Sequence, residues 1–167
     1  MQNSFSIFFK MLLFTIFLML GSCSSADSAE AEPKPLVSGI FHDLEGQTIN
    51  LAELRGKWVI VNYWASWCKP CWMEIPELNK FHKTYKNKNV VIVGVSFDRF
   101  DSEEALRPIV KKMGIQFPVL TTDPASGLSI RPPSVLPATY VINPKGEVQA
   151  ELLGLQTEKS LLAAIGE

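Results

Sequence analysis

The sequence predicts an α/β protein, a three-layer α/β/α sandwich in one domain, with a mixed central sheet preceded by an N-terminal β-hairpin. Three observations carry this. Two nearly continuous apolar runs, WVIVNYW (58–64) and VVIVGVSF (90–97), are separated by about a helix of sequence, the spacing of a parallel βαβ unit. Two later runs, ATYVIN (138–143) and EVQAELLG (147–154), flank the turn residues NPKG and read as an antiparallel hairpin. Helical periodicity returns over 102–113 and in the closing TEKSLLAAIG.

Each element has its own signal. Residues 38–57, SGIFHDLEGQTINLAELRGK, alternate apolar and polar about Glu45-Gly46, which predicts a hairpin and then a short helical turn ending near Gly56. The β-branched and aromatic residues of 58–64 suit a strand covered on both faces. In the helix expected after it, Ile75, Leu78, His82 and Tyr85 recur at threes and fours before the chain frays into KNKN. Ser102 can cap the next helix. Glu103 and Glu104 lie in its first turn, Lys111 and Lys112 in its last, and Gly114 stops it. Leu106, Ile109, Val110 and Met113 form its inner face, and Pro108 falls inside it, where a kink is expected. FPVLTT (117–122) reads as a short strand. Leu161, Leu162 and Ile165 turn the last helix inward.

The first 35 residues do not belong to this domain. MLLFTIFLML (11–20) follows Lys10 and has the length of an export signal's apolar core, short for a bilayer span. Leu20-Gly21-Ser22-Cys23 looks like a bacterial lipobox. It predicts a signal peptide over 1–22 and lipidation of Cys23; the plainer alternative is ordinary cleavage nearby with Cys23 a free thiol. SSADSAEAEPKP (24–35) is polar and proline-bearing, and stretched out it reaches about 40 Å. Residues 23–35 are therefore expected to tether a domain spanning 36–167 to a membrane. That places the domain on the extracytoplasmic side of a bacterial cell envelope, outside the reducing cytosol. A net charge of −1 without a dense basic run gives no reason to expect nucleic acid as a partner.

Two of the chain's 3 cysteines stand in WASWCKPCWMEIP (64–76). A structural staple, half a metal site and a working redox pair all use such spacing. Cys68 follows a buried strand and opens a helix, where unpaired N–H groups and the peptide dipoles favour a thiolate. Pro70 suits an opening helical position, and Lys69 adds a cation. Cys71, one turn in and more buried, can close a small ring with Cys68. The pair can then cycle, with Cys68 attacking a substrate disulfide and Cys71 resolving the mixed disulfide.

This segment resembles the active site of the thioredoxin superfamily, with Trp67 before the first cysteine and Pro76 eight residues beyond it. From about Leu36 onward the chain is similar to membrane-tethered thiol–disulfide oxidoreductases of the TlpA/ResA type. The similarity rests on the DLEGQTINLAELRGK lead-in, on Asn62 where thioredoxin has a buried aspartate, on Glu74 three residues after Cys71, and on VLPATYVINPKGEV. It implies a thioredoxin-like fold that needs no cofactor and binds no metal. It implies Cys68 and Cys71 as a redox disulfide and a cis Leu136-Pro137 bond opposite the thiols. Trp67, Lys69, Pro70 and Leu136 would line the substrate-docking surface. Since Asn62 cannot accept a proton, Glu74 either exchanges one with Cys71 or merely complements the helix dipole. Expected partners are protein dithiols or disulfides and a membrane electron-donor thiol protein. The protein is expected to act as a monomer, with cytochrome c maturation among the family's roles. SIRPPSVLP (129–137) departs from the short Gly-rich approach to the proline expected of the family.

A closed zinc site wants four ligands, and this chain offers one cysteine pair plus the distant His42 and His82. His82 falls on the apolar helix face, as a satisfied half-core histidine would. The alternative function is a thioredoxin-fold copper chaperone using the same cysteines as ligands. Such Sco-type proteins space their cysteines by three residues and carry a late histidine, which is missing here. The Thr-x-x-Cys surroundings of a peroxidase are also missing. A purely structural disulfide rarely takes two adjacent helical positions. The sequence reading is an exported thiol–disulfide oxidoreductase.

Overall fold

The computed structural model describes residues 39–167. The expected signal peptide, Cys23, the tether and the start of the domain at Leu36 lie outside the described residues.

Strands β1 (Ile40–His42) and β2 (Thr48–Asn50) pair antiparallel as a separate two-stranded sheet. A single 3-10 turn, Leu51–Leu54, follows, the Ala52 N–H donating to the Asn50 side chain and the Leu51 N–H to the Gly39 carbonyl. The central sheet comprises β3 (Trp58–Trp64), β4 (Val90–Ser96), β5 (Val119–Leu120), β6 (Ala138–Ile142) and β7 (Val148–Leu153), in the order β5-β4-β3-β6-β7. β4 runs parallel to β3 and β5, while β6 is antiparallel to β3 and to β7, so the sheet is mixed. Helix α1 (Lys69–Tyr85) makes the βαβ crossover, α2 (Glu103–Met113) links β4 to β5, the four-residue α3 (Ala125–Leu128) precedes the Pro-rich loop, and α4 (Glu158–Ile165) closes the chain.

The hairpin does more than precede the sheet. The Leu44 N–H donates to the Val119 carbonyl, the Thr121 N–H donates to the His42 carbonyl, and Asp43 bridges Leu120. Segment 42–44 thus shields β5, an edge that would otherwise offer unpaired backbone. The Arg107 guanidinium, donating to the Leu44 carbonyl, ties the hairpin turn to α2.

Strand periodicity sorts the core. Val59, Val61 and Tyr63 of β3 point to one face, where Phe41, Leu51, Leu54 and Leu128 cover them. Ile60 and Trp64 point to the other, beneath α1, α2 and α4. One outer layer is therefore long helices, and the other is the hairpin, the 3-10 turn and α3. Gly94 is required where it stands, because a Cβ there would meet the Phe117 ring at 2.9 Å and the Trp64 Nε1 at 3.0 Å.

Differences from expectation are local. The strand expected over 117–122 shortens to Val119–Leu120, since Pro118 cannot donate to a ladder. Gly114 stops α2 in the left-handed region at φ 72°, as its lack of a Cβ permits, but the Ser102 side chain makes no capping bond. α2 runs on through Pro108. Its Leu106 and Met113 are buried, while Ile109 and Val110 are only partly so. His82 is half-buried on the expected face but is not satisfied: among the described residues its Nδ1 has no partner, and burial holds its pKa below the usual 6.5.

Candidate active site

β3 ends at Trp64, the chain turns through Ala65–Trp67, and α1 begins at Lys69. Asp98, just past β4, fixes this turn by accepting from the Ser66 N–H (2.7 Å) and hydroxyl (3.1 Å). The Trp72 indole N–H, reaching back from the helix, donates to the Ser66 carbonyl at 2.9 Å. The loop that delivers Cys68 is thereby held from both sides.

Cys68 is the N-cap of α1. Its backbone is extended, and its sulfur accepts the Cys71 N–H at 3.3 Å. A helix of 17 residues thus points its unpaired N–H groups and positive dipole end at this sulfur. Pro70 lies in the first turn, where a missing N–H costs nothing. Cys68 and Cys71 form a disulfide of 2.04 Å with Cα atoms 5.3 Å apart. Cys71 is fully buried and Cys68 is 4% exposed. Trp67, by contrast, is 68% exposed, and Lys69, Pro70 and Met73 are exposed beside it. Trp64 is core.

Residue Leu136 packs against the cluster that contains both cysteines, and the Leu136-Pro137 bond is cis. The proline-rich loop ahead of it is anchored from beneath. The Tyr63 hydroxyl donates to Asp123 at 2.6 Å, and the Tyr140 hydroxyl reaches the Arg131 carbonyl at 2.8 Å. Burial and its bond to Asp123 push the Tyr63 pKa upward, so this phenol stays a donor.

Strand alternation places Asn62 on the same face of β3 as Ile60 and Trp64, under α1, and α1 turns Glu74 inward to meet it. Glu74 is completely buried. Its carboxylate accepts from the Asn62 amide (2.7 Å) and from the Gln156 backbone N–H (3.0 Å). Burial pushes the Glu74 carboxyl from 4.5 up to about 7, against the lowering pull of those two donors. Asn62 also donates to the Thr139 hydroxyl at 3.1 Å, and its own carbonyl oxygen has no partner among the described residues. Glu74 lies past the first turn of α1, and its carboxylate is directed at Asn62 of β3 and at the Gln156 N–H ahead of α4.

The structure thus places Trp67, Cys68, Lys69, Pro70 and Cys71 at the head of α1, with Leu136 packed against the cysteine cluster and Glu74 buried further along the helix. Among the described residues, no group of three or more His, Cys, Asp or Glu side chains is placed to hold a metal. Three surface concavities are lined by residues other than the cysteines. Sequence reasoning missed Asp98, Thr139 and Gln156. Thr139 was within reach, because alternation along 138–142 puts it on the Val141 face. Asp98 and Gln156 sit in connections without periodicity and leave no such signal.

A buried cysteine pair at the head of the crossover helix of a mixed five-stranded sheet defines a thioredoxin-fold dithiol protein. The comparisons narrow this. Residues 30–151 match the AhpC/TSA family. The thiol–disulfide oxidoreductase ResA of Bacillus cereus is 31% identical over 161 residues, covering 90% of this chain and 92% of that one. Among solved structures, a thioredoxin-family thiol:disulfide interchange protein from Chlorobium tepidum superposes with a TM-score of 0.66 at 27% identity, covering 82% of this chain and 97% of that one. StoA from Bacillus subtilis, at 22% identity and a TM-score of 0.65 over 80% of this chain and 98% of that one, shares the fold. The chain belongs to the AhpC/TSA family and, within it, to the thiol–disulfide oxidoreductases of the ResA kind.

Proposed function

We propose that this protein reduces disulfides of extracytoplasmic proteins through Cys68 and Cys71. The observation that carries the reading is the helix cap: the Cys68 sulfur accepts the Cys71 N–H at the positive end of α1. In the reduced protein the Cys68 thiolate attacks a substrate disulfide. One substrate sulfur bonds to Cys68 and the other leaves as a thiolate. Cys71 gives its proton to Glu74 and attacks the Cys68 sulfur, which expels the second substrate thiolate and closes the Cys68–Cys71 disulfide. Two electrons pass to the substrate, and Glu74 returns its proton to a departing sulfur. A carboxyl near 7 suits both directions of that transfer at neutral pH.

Exposed Trp67, Lys69 and Pro70, with Leu136 and the backbone at Pro137 beside them, form the docking surface. A shallow apolar rim of this kind fits a protein segment better than a small molecule. A membrane dithiol protein returns the enzyme to the reduced state, and cytochrome c maturation is one process that consumes such reductant. Residues 1–22 act as a signal peptide, Cys23 carries the lipid, 23–35 form the tether to the 36–167 domain, and the protein works as a monomer. The test is a trap. Cys71→Ala should accumulate mixed disulfides through Cys68 in envelope extracts, and mass spectrometry would name the partners. A Cys71→Ala protein that captures none, while its Cys68 remains alkylatable, would refute the reading.

A further inference from the structure

The segment between β7 and α4, residues 154–157, touches both halves of the site. The Gly154 N–H donates to the Pro137 carbonyl at 2.8 Å, and the Gln156 N–H donates to the Glu74 carboxylate at 3.0 Å. Between them the Gln156 side chain folds back on its own segment. Its Nε2 donates to the Gly154 carbonyl (2.8 Å), and its Oε1 accepts from the Ser160 hydroxyl (2.9 Å). Gln156 is 6% exposed, so these side-chain bonds lie largely out of water, where an unmade bond is costly. Gly154 adopts φ +81°, a left-handed turn that glycine accepts without strain and that starts the fold-back.

A ridge of α1 receives the segment. Glu74, Glu77 and Lys80 stand three residues apart along one helix face. Glu77 accepts from the Glu158 N–H at 3.3 Å, and Lys80 pairs with the Glu158 carboxylate at 2.5 Å. Below the ridge, β3 offers Glu74 the neutral Asn62, which also donates to the Thr139 hydroxyl of β6. The titratable groups flanking it are Cys71 and Glu77 on its own helix and Glu158, held by Lys80, at the start of α4.

We propose that Gln156 is a positioning residue: its buried amide locks the 154–156 connection so that one main-chain N–H reaches the Glu74 carboxylate and another reaches the Pro137 carbonyl. The connection is a strap joining the helix that bears the thiols to the loop that bears the cis-proline. The inference uses the proposed site only in that Glu74 and Pro137 belong to it. The strap would exist, and could be measured, even if neither residue took part in thiol exchange.

The test compares the full chain with Gln156→Met, which keeps the volume of the side chain and removes both of its hydrogen bonds. In the oxidised state neither cysteine titrates, so the Glu74 carboxyl carbon can be followed by NMR against pH, with the exchange rates of the Gly154 and Gln156 amides. A hydrogen bond to a carboxylate favours the ionised form, and its loss raises the titration midpoint. Gln156→Met should move the Glu74 midpoint upward by about one to two pH units. Both amides should exchange about tenfold faster or more. A folded Gln156→Met protein with the midpoint and both amides unchanged would overturn the proposal. If that variant does not fold, Ser160→Ala decides, since it removes one of the two anchors at the helix start. A smaller upward shift with faster Gln156 exchange supports the strap, and an unchanged titration overturns it. The readout is independent of the mixed-disulfide trap, so the two proposals can fail separately.

Discussion

Replacing Glu74 with Gln tests how much ionisation of the buried carboxylate costs the fold. The side chain is completely buried, and its pKa stands at about 7 against 4.5 in water. An acid whose folded pKa is raised binds its proton more tightly in the folded state. The stabilisation from that proton is complete below pH 4.5 and is lost as the pH rises through 7. Across that window the group withdraws roughly 3 kcal/mol from the oxidised protein. Glu74→Gln cannot ionise, and its amide can be accommodated if Asn62 rotates to offer its unpartnered carbonyl oxygen. Urea denaturation of the oxidised wild type and variant, run between pH 4 and 8, reads the difference. The variant should gain on the wild type by roughly 3 kcal/mol across the range, or about 10 °C in thermal midpoint. Curves that stay parallel from pH 4 to 8 would refute the claim that burial holds this carboxyl near neutrality.

Two further outcomes follow from the polar anchors. Asp98→Ala leaves the Ser66 N–H without its acceptor, and should destabilise the oxidised protein by about 1–3 kcal/mol in urea. Asp98→Asn, which keeps an acceptor, should recover part of that, and an Asp98→Ala protein as stable as wild type would contradict the anchoring role. Tyr63→Phe removes the donor to Asp123 and should cost about 1.5–3 kcal/mol, because a hydrogen bond to a carboxylate is lost from a buried ring. Equal midpoints for Tyr63→Phe and wild type would show that the α3 segment is held by other contacts.

Much of this molecule is legible from local chemistry. Continuous β-branched runs can only be covered strands, and a Cys-x-x-Cys after such a strand can hardly avoid the mouth of a helix. Period-2 alternation puts Asn62 on the face of Ile60 and Trp64, which the packing shows to lie beneath α1. The unread parts are those where a connection, and not an element, makes the contact. Gln156 meets Glu74 across 82 positions of sequence through a main-chain N–H, a group every residue but proline carries and that no pattern marks. The lopsided layering was equally hidden. α2 covers the same face as α1 because the β4–α2–β5 crossover is parallel and turns in the usual hand, which leaves the opposite face to the hairpin and to short helical turns.

The central claim concerns the sulfur at the head of α1. It is tested most directly by the rate at which Cys68 of the reduced protein is alkylated as a function of pH, with Cys71→Ala used to remove its partner and the label read at Cys68 itself by peptide mass spectrometry, apart from Cys23. A sulfur stabilised by the helix end should give a midpoint at least about one pH unit below the roughly 8.5 of free cysteine. A midpoint at 8.5 or above would mean that the helix end does not activate Cys68, and the proposed exchange chemistry would lose its nucleophile.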